Sequence, residues 1–590
     1  MKMNGVRVIC VCLVLLLAFS LIGCSTKNDT EKTSSTPVSS NENEVENNSS
    51  MTDEEEITDD EVIDNADNEY TEDLDDFFTD SSDDEYSDGA YVDELTVLNG
   101  NAPAQKNFLG LNGVYHCYPY LEVSGGRTYT EKQANYEINM IKNMGVQMVR
   151  SYYGTKYAYD ETKGAFDWEN NDMKAIYRWM KELQKADIEI SLNAGWAIAQ
   201  FVNDDADGRD VWDFYDGVYV HGDKEQSAKN YANWMVKSLQ QFRAHGCNNV
   251  TSLLLFTEPG AFHGIRWGAS EPYDGRWDGM SVTEIEDPHW PTYLRLTKAL
   301  DKGLKDAGIR NDYLLVGPNE AHTYTSDVDG TEYLPMFYNA LTEGKDYLDV
   351  FSHHNYFSIN DMTSDVVADQ VQLYWRERAE LTKQLTGKPF WIDETNVRDK
   401  SNWGNTSGIR MENPWGAMQI AVMTAECAEI GVQNIVLWSL ASENWGNYTT
   451  NNDAFTNGVQ TTGVVPSPYL TFTPNVSYYG ISLLSKFFGR GDIYTIDDSL
   501  LHAVAEKGKD GEWTVLLVNM DYESSTFRLD FENCIGNQTF YRYLYNTTTQ
   551  KASANVTNIG ADLGIRTDDG HFCDTLPASS FAVYTTRKPN

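Results

Sequence analysis

The sequence predicts a (β/α)₈ barrel followed by a small antiparallel β-sandwich domain. Between about residues 105 and 490, short apolar runs alternate with longer stretches of helical periodicity, which is the pattern of βα units around a parallel sheet. Strands that are each followed by a helix close into a barrel when there are about eight of them. The apolar runs lie at residues 108–115, 146–153, 188–196, 249–256, 312–318, 347–354, 389–394 and 434–440. The alternative, a doubly wound open sheet, is disfavoured because no phosphate-binding GxGxxG follows the first run.

The C-terminal part of the chain has a different pattern. Beyond residue 485, short alternating strands such as "EWTVLLVNM" and "TFYRYLYN" are separated by Gly, Asn and Asp turns, which is typical of a small antiparallel β-domain. We therefore assign residues 101–485 to the barrel and residues 486–590 to the β-sandwich. The run "ELTVLNG" at 94–100 is a candidate for a further strand of this domain, contributed from before the barrel.

The first residues have the features of a secretory signal. Lys2 and Arg7 precede an apolar stretch that ends in "LIGC" at 21–24, so residues 1–23 are predicted to be a signal peptide and are excluded from the fold. The four residues "LIGC" resemble the lipobox of bacterial lipoproteins. That resemblance implies cleavage before Cys24, acylation of its sulfur, and a lipid-anchored location at the cell surface. The alternative is an ordinary signal peptide in which this cysteine has no role.

Residues 24–100 are predicted to be a disordered acidic linker. The segment carries 26 Asp and Glu residues against Lys27 and Lys32, and few large apolar residues interrupt it. Such a composition cannot bury enough surface to offset the entropy of ordering the chain. An acidic docking tail is the alternative. The formal net charge of −44 argues against nucleic acid as a partner, and contact with a membrane is expected only through the lipidated Cys24.

Two of the apolar runs deliver carboxylates to the predicted mouth of the barrel. "TSLLLFTEPG" makes Glu258 the end of the fourth strand, and "KPFWIDETNV" makes Glu394 the end of the seventh. In a (β/α)₈ barrel the active site lies at the C-terminal ends of the strands. Two carboxylates that face each other across a cleft are the apparatus of glycoside hydrolysis. By strand alternation, Asp393 should point the other way, into the barrel wall.

The ordered set of motifs resembles the clan A glycoside hydrolases, with the cellulase-type family five as the nearest relative. The matching stretches are "TEP" (257–259), "FSHHNY" (351–356), "DET" (393–395) and "LW" (437–438). The resemblance implies a retaining two-step hydrolysis of a β-glycan, with Glu258 as acid/base and Glu394 as nucleophile. It also implies that Arg150 holds the nucleophile ionised, that Tyr356 orients it, and that His354 lies near Glu258 or the substrate.

Further substrate-binding positions follow from the same resemblance and from the aromatic content. Trp438 matches the aromatic floor under the sugar, and Trp196 lies in a polar loop where its ring could stack on a sugar face. Two positions depart from the clan. Thr257 replaces the asparagine that usually precedes the acid/base, and Asn193 replaces a third-strand histidine. We include both among the predicted substrate-binding residues.

Several alternatives remain open at this stage. "VGPNEAH" at 316–322 would make Glu320 the acid/base if that run were the fourth strand. No metal is expected, because His353 and His354 have no partner with metal-ligand spacing, and no cofactor is implied. A catalytically silent carbohydrate-binding lipoprotein and a transglycosylase would share these residues. The sequence does not identify the glycan.

Overall fold

The computed structural model describes the chain from Phe78 onward, with gaps. The described residues are 78–79, 93–97, 103–117, 121, 129–195, 217–220, 222–259, 290–321, 324–325, 332–400, 411–441, 463–466, 471–489, 491–497, 501–531, 535–556 and 558–588. All of them belong to one compact unit, residues 71–590. The predicted signal peptide, Cys24 and most of the predicted linker lie outside the described residues.

A closed barrel of eight parallel strands forms the body of the molecule. In chain order the barrel strands are Gly110–Val114, Met148–Tyr152, Glu189–Asn193, Val250–Leu254, Leu314–Glu320, Val350–Ile359, Phe390–Asp399 and Val432–Leu437. Closure is made by the eighth strand pairing with the first, with Asn434 opposite Gly110. The predicted barrel is confirmed, and each of the apolar runs that predicted it overlaps one of these strands.

Apolar side chains fill the part of the barrel interior that lies toward the N-terminal ends of the strands. Polar side chains occupy the part toward the C-terminal ends. Seven strands contribute one residue each to this inner cluster: Val114, Met148, Leu254, Val316, Val350, Trp391 and Val436. Residues two positions apart on a strand face the same side, so Arg150 follows Met148 inward, and His354 follows Val350 by two such steps. The polar layer therefore lies directly above the apolar one, toward the C-terminal ends of the strands.

Helices surround the barrel. Within the described residues they are Glu131–Met144, Asn171–Gln184, Lys224–Ala244, Trp290–Asp306, Pro335–Thr342, Val366–Thr386, Trp415–Glu429 and Ser477–Phe487, with 3₁₀ turns at Thr155–Tyr157 and Arg310–Asp312. The first begins at a capping box of Thr130 and Gln133 and ends at Gly145, whose φ of 79° suits a residue without a side chain. Two short hairpins, Tyr159–Asp160 with Ala165–Phe166 and Tyr324–Thr325 with Glu332–Tyr333, complete the barrel domain.

The second domain is a ten-stranded sheet that folds over its own core. In spatial order its strands are Phe78–Thr79, Leu563–Arg566, Thr539–Asn546, Ser580–Thr585, Trp513–Asn519, His502–Gly508, Gly491–Asp497, Asp93–Val97, Ser525–Asp530 and His571–Leu576. Side chains from both ends of this order share one core, including Ile565, Phe540, Phe527 and Phe572. The β-domain is thereby confirmed as a two-layered structure.

The sheet differs from the prediction in one respect, because it is not wholly antiparallel. Asp93–Val97 pairs parallel with Ser525–Asp530, and Phe78–Thr79 pairs parallel with Leu563–Arg566. Both parallel strands come from before the barrel, within the range assigned to the linker, so their direction is not set by a hairpin. The strand expected from "ELTVLNG" is present as Asp93–Val97. Within the described residues, no helix has both the length and the hydropathy needed to cross a bilayer.

Candidate active site

Glu258 and Glu394 reach the barrel mouth from opposite sides. Glu258 follows the fourth strand in a turn, and Glu394 lies within the seventh strand, as predicted from the order of the runs. The backbone of Glu258 has a φ of 46°, which is unusual for a residue with a side chain. Its N–H donates to the carbonyl of Asn319 (2.9 Å), and Asn319 itself has a φ of 60°. Two hydrogen-bonded residues in the left-handed region thus fix the direction of the Glu258 side chain.

The two carboxylates approach each other around the imidazole of His354, on the sixth strand. One oxygen of Glu258, one oxygen of Glu394 and one nitrogen of His354 all lie within 4.8 Å of one another. His354 Nε2 lies 3.1 Å from Glu258 Oε1, and His354 Nδ1 lies 3.6 Å from Glu394 Oε2. The second distance exceeds hydrogen-bond range, so the imidazole acts on Glu394 mainly through its charge.

Glu394 is buried and surrounded by groups that favour its ionised form. Arg150 Nη1 donates to Glu394 Oε2 at 2.9 Å, and the Tyr356 hydroxyl donates to Oε1. Burial alone would raise the pKa of this carboxyl, but His354, Arg150 and the Tyr356 hydrogen bond outweigh burial and lower its pKa to about 2. Burial and the charge of Glu394 raise the pKa of Tyr356 well above its usual range, so the phenol keeps its proton as a donor.

Arg150 is held rigidly by four groups around its guanidinium. Besides Glu394, it donates to the backbone carbonyl of Asp393 (2.7 Å) and to Thr257 Oγ1 (2.8 Å), and Nη2 lies 3.4 Å from the Tyr152 hydroxyl. The Thr257 hydroxyl also receives a hydrogen bond from Asn193 Nδ2 and lies 3.1 Å from the Tyr152 hydroxyl. Thr257 and Asn193 are buried, so Thr257 holds the arginine directly and Asn193 holds Thr257.

The seventh strand contains an irregularity where its two acids stand. His353 pairs with Ile392 and Asn355 pairs with Thr395, so Asp393 and Glu394 together lie opposite His354 alone. This β-bulge breaks the alternation of side chains, and bulges commonly re-aim side chains next to active sites. Alternation alone therefore does not give the direction of the Asp393 side chain, and its expected position in the barrel wall stays a prediction. Asp393 is buried, and burial raises the pKa of its carboxyl while the charges of Arg150 and His354 act against that rise.

The neighbouring histidines of the sixth strand have opposite environments. Burial works to lower the pKa of His354, but the carboxylates of Glu394 and Glu258 outweigh it and raise the pKa to about 10. His353 packs against Phe337 and Trp375 on the helical side of the strand, and burial, with the charge of Arg378, lowers its pKa well below the usual value. Only His354 faces the acids.

Aromatic rings from three strand ends form one side of the site. Trp438 follows the eighth strand, and its ring lies 6.4 Å from Tyr152 and 6.1 Å from His116, both edge-on. His116 stacks on Tyr152 at 4.7 Å, and its Nδ1 accepts the Tyr152 N–H at 3.1 Å. Sequence reasoning did not single out Tyr152 or His116. Their positions could have indicated them, because His116 closely follows the first strand and Tyr152 ends the second.

The remaining predicted residues fall as follows. Arg150, Asn193, Thr257, His354, Tyr356 and Trp438 all lie at the barrel mouth with the two acids, whereas Trp196 lies outside the described residues. Glu320 is on the fifth strand, so the alternative that made it the fourth-strand acid is wrong. It is buried, and its Oε1 accepts the N–H of Ala321.

Among the described residues, one group of side chains has a spacing that would suit a metal ion. It consists of Glu258, His354 and Glu394, each of which could offer one ligand atom. Arg150 and Tyr356 already donate to both oxygens of Glu394, however, and a cation placed there would have to compete with a buried guanidinium. The donor set therefore favours an acid pair over a metal centre.

Comparisons with known proteins find similar solved structures, but no similar sequence family. No protein-family model matches the chain, and no curated protein matches it. Among solved structures, it is similar to the catalytic domain of the GH30 xylanase C from Talaromyces cellulolyticus (13% identity, TM-score 0.50, covering 84% of this chain and 100% of that one). It is also similar to a GH30 endoxylanase from Clostridium papyrosolvens C71 (12%, 0.51, 84% and 100%) and to the α-L-arabinofuranosidase from Thermotoga maritima (13%, 0.51, 84% and 99%).

At these identities the likeness establishes the fold, a (β/α)₈ barrel with a β-rich second domain. Because each alignment covers 84% of this chain, which is more than the barrel alone, the β-rich domain belongs to the shared architecture as well. The resemblance to clan A glycoside hydrolases is supported at the level of this fold. None of the three structures is described as a family-five enzyme, so that finer resemblance stays a prediction.

Proposed function

We propose that this protein is a retaining glycoside hydrolase that cleaves β-linked oligo- or polysaccharides. The observation that carries the proposal is the approach of the Glu258 and Glu394 carboxylates to within 4.8 Å around His354. Retaining enzymes hold their two carboxyl groups about 5–5.5 Å apart, whereas inverting enzymes need roughly 6.5–9.5 Å to admit a water. The short approach supports retention, with Glu394 as nucleophile and Glu258 as acid/base.

The proposed first step replaces the glycosidic bond with a bond to the enzyme. The ionised Glu394 attacks the anomeric carbon while Glu258 gives its proton to the departing glycosidic oxygen, so the leaving sugar departs with a hydroxyl group. In the second step the Glu258 carboxylate takes a proton from water, and the oxygen of that water displaces Glu394 from the anomeric carbon. Both carboxylates are then restored to their starting states.

The charges around the site support this division of roles. Arg150 and Tyr356 both donate to Glu394, whose pKa is lowered to about 2, so this carboxylate is ionised and can act as the nucleophile. Glu258 contacts His354 instead, with His354 Nε2 3.1 Å from Glu258 Oε1. The two carboxylates raise the pKa of His354 to about 10, so the protonated imidazole lies beside the proposed acid/base.

The substrate and location are part of the proposal. The fold-level neighbours described as xylanases and an arabinofuranosidase support a polysaccharide substrate. The predicted acylation of Cys24 and the acidic linker would hold the enzyme at the bacterial cell surface, where such polymers are encountered. No cofactor takes part in the steps above.

The experiment that tests the proposal is a screen of the full-length chain, extracted in detergent, on a panel of plant and microbial β-glycans. Glu394→Gln serves as the matched inactive variant. New reducing ends from the wild type alone are expected. Binding by both proteins with cleavage by neither would instead indicate a carbohydrate-binding lipoprotein. Longer oligosaccharides appearing in place of free reducing ends would indicate a transglycosylase.

A further inference from the structure

The seventh strand holds the backbone of Trp438 at two points, just beyond Glu394. The N–H of Trp438 donates to the carbonyl of Thr395 at 2.9 Å. The carbonyl of Trp438 accepts a hydrogen bond from Asn396 Nδ2 at 2.6 Å. Trp438 lies just past the last paired position of the seventh and eighth strands, which is Thr395 opposite Leu437. It is therefore held by the two residues that directly follow the proposed nucleophile.

The second of these contacts replaces a regular hydrogen bond of the sheet. In a parallel ladder, a residue that donates to one position of the neighbouring strand accepts from the N–H two positions further along that strand. The regular donor to the Trp438 carbonyl would therefore be the N–H of Val397. That N–H instead donates to Asn396 Oδ1 at 2.7 Å, and Asn396 Nδ2 donates to Trp438. The side-chain amide is thus inserted between the two strands.

The inserted amide sets the distance between the strand ends. A direct hydrogen bond would bring the Val397 nitrogen and the Trp438 oxygen to about 2.9–3.0 Å, whereas the amide keeps the two backbones apart by its own width. Asn396 is fully buried with its oxygen and its nitrogen both engaged, so the amide is fixed in orientation. Thr395 is fixed as well, because its hydroxyl donates to the Asn355 carbonyl on the sixth strand at 2.7 Å.

The position of the Trp438 ring depends on this backbone. The ring meets those of Tyr152 and His116 edge-on, with centroids 6.4 and 6.1 Å away. The Tyr152 hydroxyl lies 3.4 Å from Arg150 Nη2, and Arg150 donates to Glu394. Because a side chain in a fixed rotamer moves with its own backbone, a displacement of Trp438 changes where its ring lies relative to Glu394.

We propose that Asn396 is a positioning residue that fixes the Trp438 ring relative to Glu394, so that a sugar stacked on the ring presents its anomeric carbon to the carboxylate. This inference rests on the proposed function of the site. Asn396 is buried and acts through Trp438 rather than by touching the substrate. A misplacement of about 1 Å in a bound substrate can cost on the order of 10²-fold in rate, so the inserted amide should matter for turnover.

The kinetic test is a double-mutant cycle between Asn396 and Trp438, on a glycan that the wild type cleaves. Asn396→Ala lets the Val397 N–H bond the Trp438 carbonyl directly, and it should lower kcat by about 10- to 100-fold with a smaller change in KM. In a Trp438→Ala background the same substitution should have little further effect, because no ring is left to misplace. Equal losses in both backgrounds would mean a merely structural role and would overturn the inference.

A second variant and a matched control separate this effect from damage to the fold. Asn396→Asp keeps an acceptor for Val397 but offers no N–H to the Trp438 carbonyl, so it should show the same loss and the same dependence on Trp438. Asn434→Asp makes the same change at another buried asparagine, earlier in the eighth strand. It should lower the thermal stability and keep kcat near the wild-type value. A matching loss of kcat in Asn434→Asp would contradict the inference.

A measurement that needs no turnover reports the position of the ring itself. In protein labelled with 5-fluorotryptophan, the ¹⁹F signal that disappears in Trp438→Phe identifies this ring among the 15 tryptophans. In Asn396→Ala that signal should shift, because the ring moves relative to Tyr152 and His116, and in Asn434→Asp it should stay in place. An unshifted signal in Asn396→Ala overturns the inference even if the protein cleaves glycans. A shifted signal in a protein that cleaves nothing supports the placement of the ring, while the proposed function fails.

Discussion

The two carboxylates of the site are the same residue type in contrasting surroundings. Glu394 sits in a strand with 7% of its side chain exposed, and Arg150 and Tyr356 donate to it directly. Glu258 sits in a turn with 25% of its side chain exposed, and its side-chain partner among the described residues is His354. In enzymes that use a carboxylate pair, contrasting surroundings of the two acids assign one as the nucleophile and the other as the acid/base.

The largest expected effect comes from removing the permanently charged member of the pair. Glu394→Gln should lower kcat by roughly 10⁴-fold or more on any cleaved glycan, because the amide cannot form the glycosyl bond that the carboxylate forms. Thermal unfolding followed by circular dichroism should show a folded protein. A folded variant that retains most of its activity would contradict the assignment of the nucleophile.

Glu258→Gln should have a smaller effect that depends on the leaving group. With a sugar as leaving group we expect a loss of about 10²–10⁴-fold, whereas a dinitrophenyl glycoside, whose leaving group needs no proton, should lose much less in its first step. Pre-steady-state release of the phenol measures that step. An equal loss for both substrates would indicate that Glu258 has a structural role or binds substrate instead.

His354→Asn should change the pH dependence more than the maximal rate. Activity needs Glu394 ionised, so it falls as pH drops through the pKa of that carboxyl, which is about 2 in the wild type. Without the imidazolium, burial is less opposed, and the acid limb of kcat/KM should move upward by about one unit or more.

The adjacent His353→Phe is the control, because His353 is uncharged and packs on the helical side. Its acid limb should stay in place. An unshifted limb in His354→Asn would show that the imidazole does not control the charge of Glu394.

The smallest expected effect concerns Glu258 and Asn319, whose left-handed backbone conformations fix the direction of the Glu258 side chain. At Asn319, with a φ of 60°, alanine should give a less stable protein than glycine by about 1 kcal/mol in urea unfolding, because only glycine adopts that conformation without strain. Asn355 is on the sixth strand and has no positive φ, so there the alanine variant should be more stable than the glycine variant. Equal stabilities of the two Asn319 variants would mean that this backbone conformation relaxes freely.

The barrel could be predicted from the sequence because the patterns that indicate its strands are local. Each apolar run overlaps one barrel strand, and strand order alone puts Glu258 and Glu394 at the same end of the barrel. It also anticipated Arg150 and Tyr356 beside Glu394, although only through a family resemblance. The β-domain was predicted from alternation, and its strand from residues 93–97 was suggested by a single apolar run.

What escaped prediction depends on irregular backbone and on long-range contacts. The bulge at Asp393 and Glu394 arises from the pairing with the sixth strand, so the rule of alternation failed there. Thr257 was expected to meet the sugar, yet its hydroxyl is engaged by Arg150 and Asn193, which are far from it in sequence.

The measurement that tests the central claim most directly is the stereochemistry of the first product. Proton NMR during the first minutes of hydrolysis of a cleaved β-glycan distinguishes the anomers before they interconvert. The close approach of Glu258 and Glu394 predicts that the β-anomer appears first, with the α-anomer growing in by mutarotation. An initial α-anomer would mean inversion, and would contradict the assignment of Glu394 as a nucleophile.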